Sequence, residues 1–158
     1  MTIYVDADAC PVIRVIEEVS AKMHVPVVFL CDEHHVLTPG TGRVQVVASG
    51  PDAVDLALIN QCRGGDLVIT QDYGVAALAL GKGAYGLHPG GKQYTDENIS
   101  GLLMDRHLAG RARRSGKRHL RGPAKRTPED DRRFRESLER IILAQAERPG
   151  DREEGTRE

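Results

Sequence analysis

A chain of 158 residues, 40% apolar and 28% charged, is long enough to bury one real core and has the composition of a globular protein. Its N-terminus, "MTIYVDAD", has no basic stretch leading into a long apolar segment, so a secretory signal is not expected. No apolar run approaches the roughly 20 residues of a membrane span. Net charge is −1, yet the charge is unevenly spread along the chain. The three cysteines, Cys10, Cys31 and Cys62, are odd in number and lack C-x-x-C spacing, which points to reduced thiols in a cytoplasmic protein, with Cys62 a small core residue. With no Trp and only two Phe, the core must be built from Val, Leu, Ile and Ala.

Strand and helix patterns alternate from the start. "TIYV" (2–5) predicts a strand, and "PVIRVIEEVSAKM" (11–23) a helix with Val12, Ile16, Val19 and Met23 on one face and Pro11 in its first turn. "VPVVFLC" (25–31) is nearly all apolar, as in a strand covered on both faces. "RVQVVA" (43–48) predicts a third strand, and "SGPDAVDLALINQC" (49–62) a helix carrying Val54, Leu58 and Ile59 inward. A turn and fourth strand follow in "GGDLVIT" (64–70), then a helix in "YGVAALALGKG" (73–83) and a short fifth strand in "AYGLH" (84–88). Two further helices are expected. One is "TDENISGLLMDRHLAGRARR" (95–114), basic at its end. The other lies in "TPEDDRRFRESLERIILAQAERPG" (127–150), where Thr127 caps, Pro128 fits the first turn and acids at 129–131 suit the dipole. Phe134, Leu138, Ile141 and Ile142 form the buried stripe of this last helix.

The alternation predicts a three-layer α/β sandwich around a mostly parallel sheet of about five strands. One domain is expected over residues 1–148, including a basic segment (106–126) and the C-terminal helix (128–148), followed by a disordered tail (149–158).

In such a sheet, ligands bind beyond the carboxyl ends of the strands. Acids fall there repeatedly: Asp6 and Asp8 after the first strand, Asp32 and Glu33 after the second, Asp52 and Asp55 opening the next helix, and Asp72 after the fourth strand. Converging carboxylates repel each other unless they are protonated or share a cation, and hard oxygen ligands suit Mg²⁺ or Mn²⁺. Such an ion can activate water for in-line attack on a phosphate. Against this, Asp8 and Asp72 also stand where helix caps stand, and Asp55 where an exposed helix residue would. "CDEHHV" (31–36) reads as a solvated loop rather than a ligand set, and Asp66, at the opposite strand end, as turn chemistry.

From Arg106 to Arg126 there are nine Lys or Arg and no Asp or Glu, whereas the preceding 105 residues hold six basic and thirteen acidic side chains. A cationic block of this kind is the electrostatic footprint of a polyanion. Without interleaved aromatics it is suited to nucleic-acid backbone rather than to bases.

Three stretches, "DADACPV" (6–12), "VITQDYGVAALALGKGA" (68–84) and "RHLRGPAKRTPEDDRRF" (118–134), resemble the YaiI/YqxD family of uncharacterised bacterial proteins, which is placed with PIN-like domains. Many PIN-like domains are metal-dependent ribonucleases with acids at the carboxyl rim of a parallel sheet. The resemblance implies a Mg²⁺- or Mn²⁺-dependent nuclease, more readily of RNA than of DNA. Asp6, Asp8 and Asp72 would hold the ion and Asp55 would complete the catalytic set, while Thr70, Arg118, Arg121, Lys125 and Arg126 would bind nucleic acid. The further acid that such nucleases carry after Thr-x-Asp is missing from "YGVA", a place Asp8 would fill. Two other readings stay open. One is a non-catalytic RNA-binding protein of the same fold. The other is a haloacid-dehalogenase-like phosphatase, whose nucleophile loop "DADAC" resembles but which needs a later acidic pair that "GGDLVITQD" splits across its strand.

Overall fold

The computed structural model describes residues 1–8, 10–50, 52–114 and 125–148. The expected nucleic-acid ligands Arg118 and Arg121, and the tail from 149, lie outside the described residues. The elements run β1 (Ile3–Asp6), α1 (Ile13–Met23), β2 (Val27–Asp32), β3 (Arg43–Val47), α2 (Ala53–Gln61), β4 (Leu67–Ile69), α3 (Tyr73–Gly81), β5 (Tyr85–Leu87), β6 (Gln93–Tyr94), α4 (Asp96–Arg114) and α5 (Pro128–Ala146). The sheet order is β3-β2-β1-β4-β5-β6, parallel throughout except for β6, which pairs antiparallel with β5. The α/β class and mostly parallel sheet are those expected from the sequence. The strand count is six rather than five, because β6 has only two residues and offers no period to read.

Period-2 alternation sorts the strand side chains between two cores. Ile3 and Val5 of β1, Val27, Phe29 and Cys31 of β2, Leu67 and Ile69 of β4 and Leu87 of β5 pack with α1 and α5 on one face. Val28, Leu30 and Val68 pack with Val54, Leu58 and Cys62 of the α2 region and with Val75 and Ala79 of α3 on the other. β2 is buried from Val27 to Cys31, which explains why its sequence shows no polar face. Helix α4 closes over α3 and β6 through Ile99, Leu102 and Leu103, packed with Ala76 and Tyr94.

Helix α1 begins at Ile13, so Pro11 stands in the turn before it rather than in its first turn. Helix α5 starts where its capping chemistry dictates: Asp130 reaches back to accept the Thr127 N–H at 2.8 Å, and Pro128 opens the first turn. Its stripe of Phe134, Leu138, Ile141 and Ile142 is buried as expected. Ser137 Oγ then donates to the Gly91 carbonyl at 2.6 Å, tying α5 to the β5–β6 turn. Gly91 adopts φ +96°, a conformation that β-carbon sterics disfavour in other residues.

Candidate functional site

The parallel register carries the acids to one rim. Asp6 ends β1 and Asp32 ends β2, while Asp72 follows β4 as the N-cap of α3. A cavity of about 320 Å³ is lined by Asp6, Asp8, Cys10, Gln71, Asp72, Pro89 and Arg106. A neighbouring cavity of about 220 Å³ again touches Asp6, Asp8 and Asp72, and adds Asp32, Asp52 and Asp55. The metal set Asp6, Asp8 and Asp72 therefore lines both cavities, and Asp55, the fourth acid expected to be catalytic, lines the second. A larger cavity, about 580 Å³, opens at the opposite end of the sheet and has Asp66 as its only carboxylate among the described residues. There Asp66 accepts the Thr2 and Arg63 N–H groups, which is the turn chemistry expected of it. It stands far from the first aspartates, as the phosphatase reading does not allow.

Thr70, expected to touch nucleic acid, is 1% exposed and lies beneath the rim instead. Its hydroxyl donates to Asp6 Oδ2 at 3.4 Å and accepts the Asp72 N–H at 3.0 Å, so one side chain registers the two acids against each other. The Tyr94 hydroxyl, itself buried, donates to the Thr70 carbonyl at 3.0 Å and holds the support in place. Thr70→Val keeps the shape and deletes the hydroxyl. The stranded Asp72 N–H is expected to cost about 1–2 kcal/mol in urea unfolding. The lost hydrogen bond should push the Asp6 pKa further up, which carboxyl-carbon NMR would read.

Asp72 does cap its helix: Oδ1 accepts the Gly74 N–H at 2.8 Å and the Val75 N–H at 3.2 Å. It also accepts Arg106 at 3.2 Å, so capping and rim roles coincide in one residue. Asp8 is not a cap, because α1 starts five residues later with Val12 in the capping position. Asp52 caps nothing with its side chain, and it holds φ +59° at the start of α2.

Charge crowding raises the pKa values of acids in the cluster. Burial first, then the charges of Asp55 and Asp8, push Asp6 up to about 6, against a partial offset from the Asp8 N–H and Thr70. Asp55 is likewise raised, by burial and then by Asp72, Asp52 and Asp8. A divalent ion fits this donor set: the ligands are carboxylate oxygens that raise one another's pKa, and Asp8 Oδ1 is buried without a hydrogen-bond partner among the described residues.

Two ends of the basic segment come close to the same cavity. Arg106 lines it from α4. Arg126 lies near enough to Cys10 for its charge to oppose the upward pull of burial on that thiol. Arg126 is paired with Asp131 at 2.8 Å and only 25% exposed at its side chain, so it is partly committed to fixing the start of α5, while Lys125 is exposed. Of "CDEHHV", expected to be a solvated loop, Cys31 is buried and Asp32 ends β2, while residues 33–36 are exposed and His35 Nδ1 stands 2.8 Å from Asp32 Oδ1. Sequence reasoning missed the Arg106–Asp72 pair and the placement of His35. A pair 34 residues apart leaves no local signal.

Residues 4–144 match the family model described as "Uncharacterized BCR, YaiI/YqxD family". The chain belongs to the YaiI/YqxD family. A UPF0178 protein of Clostridium acetobutylicum is 54% identical over 144 residues, covering 90% of this chain and 97% of that protein. A UPF0178 protein of Lachnoclostridium phytofermentans is 46% identical over 144 residues, with 90% and 97% covered. The crystal structure of Rae1 (YacP) from Bacillus subtilis aligns over 91% of this chain and 99% of its own, with a TM-score of 0.43 and 16% identity. Of the three stretches that carry the YaiI/YqxD resemblance, the first two meet at the acidic rim, and the described part of the third, from Lys125, leads into α5. Among the described residues, no helix is long and apolar enough to cross a membrane.

Proposed function

We propose that this YaiI/YqxD chain is a divalent-metal-dependent nuclease acting on RNA. The observation that carries the reading is that Asp6, Asp8 and Asp72 line two cavities, one shared with Arg106 and the other with Asp55. Carboxylates alone repel a phosphodiester, and cations alone have no means of cutting one; here Arg106 stands among the carboxylates.

Asp6, Asp8 and Asp72 would hold Mg²⁺ or Mn²⁺. When bound, such an ion neutralises the acids, polarises a phosphoryl oxygen and makes a nearby water more acidic. The chain's own groups do the rest. Thr70 keeps Asp6 and Asp72 in register without touching substrate. Asp55, with its pKa raised, takes the proton of the attacking water. Arg106 trades its contact with Asp72 for a non-bridging phosphate oxygen, placing a fixed positive charge where charge develops. Lys125, Arg126 and the rest of the basic run, including Arg118 and Arg121, supply the charge that binds the backbone.

The test is end-labelled single-stranded RNA incubated with the full chain and Mn²⁺. Internal cleavage that stops on chelation is expected; RNA that is bound but left intact with Mg²⁺ and with Mn²⁺ would overturn catalysis and leave the binding reading. Binding should weaken steeply with salt. Arg106→Ala should lower the slope of log affinity against log salt by about 0.7, the value for one single-stranded phosphate contact. An unchanged slope would remove Arg106 from the phosphate path.

A further inference from the structure

We infer that Asp8, Asp32 and His35 form a second cation site of transition-metal character, joined to the acidic cluster through Asp8. The inference rests on the metal-dependent reading above and extends it to a different ion and to ligands that reading does not use.

The cluster follows from the fold. In the parallel pairing of β1 with β2, Asp6 stands opposite Leu30. The Ala7 N–H continues that ladder onto the Leu30 carbonyl at 2.9 Å. Asp8 and Asp32, each two residues further along its own chain, are therefore carried side by side past the last β1–β2 pair, with Asp32 still paired to Val47 of β3. A tight turn then returns the chain: the His34 N–H binds Asp32 Oδ1 at 2.8 Å and the His35 N–H binds the Asp32 carbonyl at 3.2 Å. This folds the His35 ring back over Asp32. One donor atom each from Asp8, Asp32 and His35 lies within 4.8 Å of the other two.

Neighbouring donors of an octahedral ion with bonds of about 2.1 Å stand about 3 Å apart. The Asp32 Oδ1 to His35 Nδ1 separation, 2.8 Å, is already of that size. An Asp–His hydrogen bond would also account for that pair, but not for Asp8. Its Oδ1 is closed off from solvent and accepts no hydrogen bond, a costly state for a carboxylate oxygen. A cation between Asp8 and the pair supplies the missing partner. The His35 side chain is 67% exposed and faces no packing that would hold back an approach to Asp8 from the present limit of 4.8 Å.

The donor set also selects the ion. Two carboxylates would suit Mg²⁺, but the imidazole shifts preference toward Zn²⁺ or Mn²⁺, which accept nitrogen and oxygen together and keep positions open for solvent or substrate. Asp8 then stands between this site and the Asp6–Asp72 side of the acidic cluster.

The experiment is metal binding to the stripped full chain, with Mn²⁺ counted by electron paramagnetic resonance and Zn²⁺ affinity measured by calorimetry. Two Mn²⁺ per wild-type chain are expected. His35→Ala should leave one and weaken Zn²⁺ at least tenfold, while Asp72→Asn should remove the other ion. In the unaltered protein, Mn²⁺ should broaden the ring signals of His35 ahead of the five other histidines. A His35→Ala variant with unchanged stoichiometry and Zn²⁺ affinity, or a wild-type His35 signal untouched by Mn²⁺, would overturn the second site. If only the ion sensitive to Asp72→Asn is found, this inference falls and the nuclease reading stands. If only the ion sensitive to His35→Ala is found, the second site stands and the Asp6–Asp72 reading falls.

Discussion

Asp6→Asn is expected to abolish metal-dependent RNA cleavage and, at the same time, to make the metal-free protein more stable. Removing a group that merely supports a metal ligand costs about 10–100-fold, so loss of a ligand from the centre of the rim should exceed about 100-fold. The stability effect runs the other way because the native fold disfavours the Asp6 charge. The Asp6 pKa is about 6 in the fold, against 3.8 ordinarily. A raised native pKa means that the stabilising contribution is complete below about 3.8 and is lost as pH rises through about 6. Asn keeps the uncharged state at every pH. With solvent screening of a half-buried group allowed for, the gain at pH 7.5 is on the order of 1–2 kcal/mol. That corresponds to roughly 2–8 °C in Tm for a chain of this size.

At pH 3.5 the difference should shrink toward zero. Mn²⁺ should raise the Tm of wild type more than that of Asp6→Asn, which keeps only the ion at Asp8, Asp32 and His35, since a ligand that binds the folded state stabilises it. Thermal scans at both pH values, with and without Mn²⁺, read all of this. A metal-free variant that melts below wild type at pH 7.5 would show that the Asp6 charge is not under strain.

Gly91→Ala should have the largest effect on stability. A β-carbon there would lie 2.8 Å from the Arg133 carbonyl carbon and 2.9 Å from both the Arg133 oxygen and the Phe134 nitrogen, all backbone atoms of α5. No side chain can swing aside to relieve the clash. Helix α5 would have to retreat, disturbing the Ser137–Gly91 hydrogen bond and the packing of Phe134, which is fully buried. Overpacking of this kind costs about 1–3 kcal/mol and the left-handed backbone a further 1–2, so a loss of about 3 kcal/mol is expected in urea unfolding. Gly101→Ala, on α4 where a β-carbon would meet nothing within 4 Å, is the control and should be neutral or stabilising by up to about 1 kcal/mol. Equal losses at the two positions would mean that the α5 contact is not what makes Gly91 necessary.

Legibility in the sequence followed the range of the forces. Apolar periodicity and capping chemistry act within a few residues, so α1, α2, α3 and α5 were readable almost to their ends, down to the inward stripe of Phe134, Leu138, Ile141 and Ile142. The rim acids were readable because strand ends in a parallel sheet share one edge, whatever the strand order. What pairs across that edge was not. Thr70 was assigned to nucleic acid by the family resemblance, and nothing local records that β4 is buried along its length or that the Tyr94 hydroxyl reaches the Thr70 carbonyl. Arg106 read as one charge among nine, and only the packing of α4 on α3 sets it on Asp72. His35 looked solvent-bound for a related reason: its link to Asp8 depends on the β1–β2 register, not on its neighbours in the chain.

The strand order also bears on synthesis. β1 lies at the middle of the sheet and acquires its second neighbour only from β4, with the Thr2 N–H waiting for Asp66, 64 residues downstream. A ribosome adding about 5–20 residues per second leaves that strand with an open edge for several seconds of elongation. The nascent chain can pair β1 with β2 and β3 early, but it cannot close the acidic edge until "VITQD" has left the exit tunnel. Assembly of the rim is thus a late step in translation, and slow codons downstream of Asp72 would lengthen the time available for it.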